Sequence, residues 1–108
     1  MKSLEGRVAL VTGAGSGIGR SDALVLAERG AAVIVNDFDP TAADETVAQI
    51  VGAGGRAVPC VGDVGDAAAI TEAIEAARRQ VGAIDILVNN AGIFGRQQAF
   101  DAISDADL

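Results

Sequence analysis

Short apolar runs alternate with longer segments of mixed polarity along this chain. The apolar runs cover residues 8–12, 32–36, 57–61 and 84–89 and are rich in valine and isoleucine. They are nearly continuous rather than alternating with polar residues, which is typical of parallel strands covered on both faces. The pattern therefore predicts four buried parallel strands.

The segments between the runs carry helical signals. The first predicted helix, 17–29, follows a glycine-rich turn and ends before Gly30, a common helix stop. Its large apolar residues are Ile18, Leu24, Val25 and Leu26.

The second and third predicted helices have clearer starts and clearer apolar stripes. Asp39 is the predicted N-cap of the second and Pro40 its first residue, while Asp66 begins the third. The expected core-facing residues are Ala43, Val47 and Ile50 in the second helix, and Ile70, Ile74, Ala77 and Val81 in the third.

Alternating strands and helices predict an α/β fold, a doubly wound parallel sheet of the Rossmann type with about four strands. The glycines at 52–55 and 62–65 are interpreted as tight turns, so residues 1–108 are taken as part of one domain. Ser104 is the predicted N-cap of a further helix, and the chain stops four residues later. Together with the open edge expected beside strand 84–89, this predicts a fragment that associates through that edge.

Composition narrows the function classes. The formal charge is −7 with no basic cluster, so nucleic acid is not an expected partner. No apolar run approaches the length of a membrane span and no signal peptide is evident, so we expect a cytoplasmic protein. The single cysteine, Cys60, is expected to be a small buried residue, and no metal site is predicted. The acidic residues on the helices are expected to form solvated faces: Asp22, Glu28, Asp44, Glu45, Glu72 and Glu75.

The glycine-rich turn between the first strand and the first helix is a candidate phosphate site. Glycines there allow positive φ angles and close backbone approach, and the amides at a helix N-terminus attract anions. The spacing departs from G-x-G-x-x-G, because Ile18 stands where the third glycine should fall. The candidate residues are Gly13, Gly15, Ser16, Gly17, Ile18 and Gly19.

Two motifs in register resemble the short-chain dehydrogenase/reductase family. One is Thr12-Gly13 followed by Gly17-Ile18-Gly19, and the other is Asn89-Asn90-Ala91-Gly92 after the fourth strand. The resemblance covers nearly the whole chain. It implies the N-terminal, nicotinamide-cofactor-binding part of an oxidoreductase that transfers hydride between the cofactor and a small-molecule alcohol or carbonyl substrate, in a full-length homo-oligomer.

Asp37 is the predicted determinant of cofactor choice. It follows the second strand, eighteen residues past Gly19, close to the place of the acid that meets the adenosine ribose. A carboxylate there repels the 2′-phosphate of NADP, so NAD is expected and NADP is the less favoured cofactor. Arg20 opposes this, since its guanidinium could reach a phosphate, and Asp37 could instead start a turn with Asp39 and Pro40.

The resemblance implies further cofactor contacts. Asp63 and Val64 correspond to the pair that holds the adenine in the family, although taken alone Asp63 is a turn or cap residue. Asn90, Ala91 and Gly92 correspond to residues that line the nicotinamide-side ribose.

No catalytic residue is nominated. The family's acid-base group is the tyrosine of a Tyr-x-x-x-Lys segment, and these residues include no tyrosine and no histidine. The fragment alone is therefore expected to be inactive. Two alternatives stay open, a nucleotide-binding module without catalysis and an S-adenosylmethionine-binding domain with a similar glycine loop.

Overall fold

The predicted alternation of strands and helices is present in the computed structural model, which describes residues 3–90. The elements are β1 (Val8–Thr12), α1 (Gly17–Glu28), β2 (Ala32–Asp37), α2 (Pro40–Gly52), β3 (Arg56–Val61), α3 (Ala67–Val81) and β4 (Ile86–Asn89). The helix expected from Ser104 lies outside the described residues. Within the described residues, no helix has the length and apolarity needed to cross a membrane.

The four strands form one parallel sheet in the order β3-β2-β1-β4. Leu10 at the centre of β1 lies opposite Ile34 of β2 on one side and Leu87 of β4 on the other. The chain moves outward from β1 to β3 and then returns to the other side of β1. This is the α/β architecture that the sequence predicted, and its strand order reverses between β1 and β4.

The predicted helix caps are confirmed. The Asp39 carboxylate accepts hydrogen bonds from the amides of Thr41 at 3.0 Å and Ala42 at 3.4 Å, and Pro40 is the first helical residue. Asp66 accepts from the Ala69 amide at 3.2 Å. These bonds satisfy amides that have no partner inside their own helix, so both starts are fixed by local sequence.

Side chains of β1 and β2 alternate between two layers, as the period of a strand requires. Val8, Leu10 and Ile34 pack on the face covered by α3, with Ile70 and Ile74 of that helix. Val11, Val33 and Val35 pack on the opposite face, which α1 and α2 cover. The predicted stripe of α3 is confirmed: Ile70, Ile74 and Ala77 are buried, and Val81 packs against the same cluster.

The expectation that all four strands are covered on both faces is wrong for the outer two. Cys60 is the buried residue of β3, whereas Pro59 is exposed, and β4 has no fully buried residue. In the described sheet each of these strands has a neighbour on one side only. β4 is also shorter than predicted, since it begins at Ile86. Asp85, just before it, is hydrogen-bonded to β1: its amide donates to the Val8 carbonyl at 2.8 Å, and its carboxylate accepts from the Val8 amide at 2.9 Å.

The fully buried positions of α1 are small residues, and Leu24 and Leu26 pack beside them half-buried. Gly19, Ala23 and Ala27 are its buried positions, while Ile18 is 75% exposed and Val25 48% exposed. Small residues spaced by four let the helix axis come close to the sheet. In α2 the buried positions are Ala43, Thr46 and Ile50, and the expected Val47 is only partly buried.

Candidate dinucleotide site

The strand register gathers the candidate residues at one edge of the sheet. Thr12, Asp37, Val61 and Asn89 are the last residues of the four strands, and Thr12 pairs with Asn89 as Asp37 pairs with Val61. In open α/β sheets ligands bind outside this carboxyl edge, where the strand order reverses. Here the reversal lies between β1 and β4, beside the glycine-rich turn.

The turn has the backbone that its glycines predict. Gly13 and Gly17 have φ angles of 60° and 56°, in the left-handed region that disfavours side chains. Ser16 is the N-cap of α1 in extended conformation, and its hydroxyl makes no capping hydrogen bond. The first turn of α1 therefore presents backbone amides and one hydroxyl in the place where an anion is stabilised.

Two further glycines of the turn are required by space. A Cβ on Gly19 would overlap the carbonyl oxygen of Gly13 and lie 2.7 Å from its carbonyl carbon. A Cβ on Gly15 would lie 2.6 Å from the Ala42 Cβ and 2.7 Å from the Asp37 Oδ2. The turn is thus packed against α1 on one side and against β2 and α2 on the other.

Asp37 is joined directly to the glycine turn. It is the last residue of β2 rather than the first residue after it, and it is 8% exposed. Its Oδ2 accepts from the Gly15 amide at 2.9 Å, and its Oδ1 accepts from the Asp39 amide at 3.0 Å. Because a carboxylate has about four acceptor positions, these two bonds leave capacity for hydroxyl donors.

The Arg20 guanidinium, considered as a possible phosphate ligand, is hydrogen-bonded within the protein. Its Nε donates to the Thr46 Oγ1 at 2.9 Å, and its Nη2 donates to the Gly15 carbonyl and to the Glu45 Oε2, the latter at 3.2 Å. Glu45 is accordingly part of an ion pair and not only a solvated charge.

Asp63 and Val64 lie in the loop between β3 and α3. The Asp63 carboxylate accepts from the Gly65 amide at 2.8 Å, and its carbonyl accepts from the Asp66 amide at 2.9 Å, so the turn interpretation of this residue is confirmed. Asp63 is exposed and Val64 is 2% exposed. Whether the pair also contacts adenine stays a prediction.

The Asn89-Asn90 pair connects β4 to β1 and α1. The Asn89 Oδ1 accepts from the Thr12 hydroxyl at 3.0 Å, and the Asn90 Nδ2 donates to the Asp22 Oδ2 at 3.1 Å. Asp22, expected on a solvated face, therefore also binds the residue that follows β4. Ala91 and Gly92 lie outside the described residues.

Sequence reasoning missed the buried polar groups behind the turn. The Thr46 hydroxyl donates to the Ala14 carbonyl at 2.8 Å, and the Asn36 Nδ2 donates to the Cys60 carbonyl at 2.8 Å. Thr46 shares a helical stripe with Ala43 and Ile50, so helical spacing could have shown it as a buried polar residue. Nothing in the local sequence of Asn36 indicates its role.

Cys60 is not a candidate nucleophile. It is 2% exposed, and burial raises the pKa of its thiol to about 11, against a smaller lowering by the hydrogen bond with Asn36. A thiol with a raised pKa is protonated at neutral pH and reacts poorly. Within residues 3–90, no group of three or more metal-ligating side chains comes together.

A dinucleotide fits the residues present. The crowding at Gly15 and Gly19 keeps side chains out of the turn, the first turn of α1 can face a diphosphate, and the Asp37 carboxylate stands one hydrogen bond away from that turn. These features combine a subsite for an anion with an acceptor for sugar hydroxyls.

Comparison with known proteins agrees with this geometry. Residues 7–108 match the family described as short chain dehydrogenase. An uncharacterised oxidoreductase of Methylorubrum extorquens is 47% identical over 95 residues, covering 87% of this chain and 38% of that protein. Cyclohexanol dehydrogenase of Acinetobacter sp. strain SE19 is 41% identical over 98 residues, covering 91% of this chain and 39% of that protein.

A solved structure of 7α-hydroxysteroid dehydrogenase, complexed with NADH and 7-oxo glycochenodeoxycholic acid, superimposes with a TM-score of 0.77. It is 38% identical, with 80% of this chain and 34% of that chain covered. The chain belongs to the short-chain dehydrogenase family of oxidoreductases, which use nicotinamide cofactors and act on small molecules. It spans about two fifths of the length of the two curated relatives described.

Proposed function

We propose that this chain is the N-terminal, NAD-binding part of an oxidoreductase that transfers hydride between the nicotinamide and a small alcohol or carbonyl substrate. The observation that carries the proposal is the 2.9 Å hydrogen bond between the Gly15 amide and the Asp37 carboxylate. It couples the turn suited to a diphosphate with the acid suited to the neighbouring ribose. Bound NAD supplies the hydride acceptor, or NADH the donor, at the nicotinamide ring.

The glycine turn would hold the diphosphate. Gly13, Gly17, Ile18 and Gly19 contribute backbone to the turn and to the first turn of α1, and Ser16 adds a hydroxyl donor. Backbone amides at a helix N-terminus need no counter-cation to stabilise an anion. This suits a chain whose formal charge is −7.

Asp37 would accept hydrogen bonds from the adenosine ribose. A carboxylate that binds the ribose hydroxyls repels a 2′-phosphate. Arg20 is already bound to Thr46, Glu45 and the Gly15 carbonyl. Both features favour NAD over NADP. The family resemblance adds Asp63 and Val64 at the adenine, and Asn90, Ala91 and Gly92 on the nicotinamide side.

Proton transfer is not assigned to any of these residues. The chain has no tyrosine and no histidine, and Cys60 is buried with a raised pKa. In this proposal the described residues bind and orient the dinucleotide, and Asp37 sets its identity.

Calorimetric titration of the intact protein with NADH, NADPH and S-adenosylmethionine tests the proposal. We expect saturable binding of NADH, weaker binding of NADPH and none of S-adenosylmethionine. Saturation by S-adenosylmethionine without NADH binding would replace the dehydrogenase proposal by the methyl-donor alternative. NADH binding without oxidoreductase activity on any alcohol or carbonyl would favour the non-catalytic module.

The variant Asp37→Ala sharpens the same titration. Loss of a charge-assisted acceptor should weaken NADH binding by about 1–3 kcal/mol, and NADPH binding by less. Asp44→Ala, which removes an exposed carboxylate from α2, is the matched control and should change neither affinity. An unchanged NADH to NADPH ratio in Asp37→Ala would remove the ribose role from Asp37.

A further inference from the structure

In the glycine turn, the backbone amides and carbonyls of Ala14 and Gly15 are all hydrogen-bonded within the protein. The Ala14 amide donates to the Asn36 carbonyl at 2.8 Å, and the Ala14 carbonyl accepts from the Thr46 hydroxyl at 2.8 Å. Both partners are buried. This half of the turn therefore faces the protein, and its amides are not directed at a ligand.

Gly15 is held on both sides by opposite charges. Its amide donates to the Asp37 carboxylate at 2.9 Å, and its carbonyl accepts from the Arg20 guanidinium. Glycine is the residue with the greatest backbone freedom. A residue with a side chain would be less free, but there is no space for one, since a Cβ here would lie 2.7 Å from the Asp37 Oδ2. The hydrogen bonds to Asp37 and Arg20 fix the backbone of Gly15 instead.

Arg20 is itself anchored in a way that suits a positioning role. Its guanidinium reaches Thr46 at 2.9 Å and Glu45 at 3.2 Å, and its side chain is 25% exposed. The planar guanidinium can serve several acceptors in one fixed geometry, so binding Thr46 and Glu45 orients the donor that reaches Gly15.

We propose that Arg20 is a positioning residue of the dinucleotide site, which sets the cofactor preference through Gly15 and Asp37 without contacting a phosphate. The inference rests on the proposed NAD-binding function and deepens it. Because Arg20 holds the Gly15 carbonyl, the Gly15 amide keeps one direction. The Asp37 carboxylate bound to that amide then keeps the orientation in which its remaining acceptor positions meet the ribose hydroxyls. Glu45 and Thr46 keep Arg20 in place.

The preference for NADH over NADPH distinguishes the positioning role of Arg20 from two other roles, binding a phosphate and only joining α1 to α2. If Arg20 bound the 2′-phosphate of NADPH, its removal would raise the preference for NADH. If it only joined α1 to α2, its removal would lower the stability and leave the preference unchanged. A positioning role predicts the opposite of the first outcome, a lower preference for NADH.

The experiment compares dissociation constants of NADH and NADPH for the intact wild-type protein, Arg20→Gln and Glu45→Gln. In Arg20→Gln we expect NADH binding to weaken by about three- to tenfold more than NADPH binding, in the lower part of the range of coupling between residues of one network. In Glu45→Gln we expect the same direction and about a twofold change, as for an exposed ion pair. Arg29→Gln, which removes the same charge from the exposed C-terminal end of α1, should change neither constant.

A second readout needs no cofactor. Hydrogen exchange of the Gly15 amide in the ligand-free protein should be faster in Arg20→Gln than in wild type and unchanged in Arg29→Gln. An unchanged or increased preference for NADH in Arg20→Gln overturns the inference, as does unchanged exchange at Gly15. Should Arg20→Gln fail to fold, an unaltered preference in Glu45→Gln overturns it instead.

The two proposals fail in different ways. A wild-type protein that binds neither dinucleotide contradicts the proposed function, and the inference with it. A wild-type protein that prefers NADH, with the same preference in Arg20→Gln, contradicts the inference alone.

Discussion

The two faces of the central strands are packed by different kinds of residue. On the face under α3, the large side chains of Leu10, Ile34, Ile70 and Ile74 meet, each at most 1% exposed. On the face under α1 and α2, most of the buried helix residues are small, namely Ala23, Ala27 and Ala43, and Ile50 is the large one among them. The α3 face is filled by large side chains from both layers, whereas small residues on α1 and α2 let part of the other face be filled by close approach of the helices.

The difference extends to the polar groups at the carboxyl edge. Close approach of α1 and α2 brings the Arg20 guanidinium to the Gly15 carbonyl and the Thr46 hydroxyl to the Ala14 carbonyl. It also leaves the Asp37 carboxylate 2.9 Å from the Gly15 amide. The α3 face contributes no comparable contact to the glycine turn among the described residues. Substitutions on the two faces should therefore separate stability from cofactor binding.

The largest effect is expected on the α3 face. Ile74 is fully buried among Leu10, Ile34 and Ile70, so Ile74→Ala removes packing that neighbouring atoms can only partly replace. We expect a loss of about 2–5 kcal/mol in the free energy of unfolding, measured by urea denaturation. The NADH affinity of the folded fraction should not change.

Val51→Ala is the control for Ile74→Ala. Val51 is also an aliphatic residue of a helix but is 54% exposed, and its truncation should change stability by less than about 0.5 kcal/mol. A clear loss of NADH affinity in folded Ile74→Ala would show that the two faces are coupled and would break the separation.

Sequence periodicity was sufficient for one face and insufficient for the other. The stripe of Ile70, Ile74 and Ala77 was predicted because large apolar residues recur at the helical period. In α1 the same reasoning pointed to four large residues, of which Leu24 and Leu26 pack against the core while Ile18 and Val25 are exposed. The fully buried positions of α1 are glycine and alanine, which hydrophobicity does not identify. Close packing there is required by backbone distance, which sequence alone does not give.

A smaller effect on stability, with a specific effect on binding, is expected from Gly19→Ala. A Cβ at this position would overlap the Gly13 carbonyl oxygen, so the turn or the start of α1 must shift. We expect a loss of about 1–3 kcal/mol in stability. NADH affinity should fall by about tenfold or more, since a 1.4 kcal/mol distortion of the bound geometry already has that effect.

Gly52→Ala is the matched control, because it makes the same change at the end of α2. No atom lies within 4 Å of a Cβ built there, and alanine is the better helix former by about 1 kcal/mol. Stability should stay the same or rise, with NADH binding unaffected. Equal behaviour of the two variants would contradict the close approach of α1 to the turn.

The motifs of the candidate site could be recognised in the sequence, whereas the residues that hold them in place could not. The glycine turn and Asp37 were nominated from their spacing, because the turn follows β1, Asp37 ends β2 and the carboxyl ends of parallel strands meet at one edge. Thr46 and Glu45 were missed as supports, since they lie 26 and 25 residues beyond Arg20 and contact it only when α2 packs beside α1. Asn90 was expected at the site, yet its hydrogen bond to Asp22 depends on how β4 ends against α1.

The smallest expected effect is a pH dependence of stability, which tests whether water is excluded from the α3 face. Cys60 packs in the cluster of Leu10 and Ile70, where burial raises the pKa of its thiol from 9.0 to about 11, partly opposed by Asn36. Below pH 9 the thiol is protonated in both the folded and unfolded states, so it has no effect on the pH dependence. Between pH 9 and 11 the unfolded state loses its proton first, and stability falls as pH rises. At pH 10 the loss should be about 1.4 kcal/mol, the equivalent of one pKa unit.

Urea denaturation of wild type and Cys60→Ala from pH 8 to 11 measures this loss, because the variant should lack this part of the decline in stability at alkaline pH. If stability falls with pH equally in the two proteins, the thiolate is solvated in the folded state. Water would then reach the α3 face, contrary to the burial of its side chains.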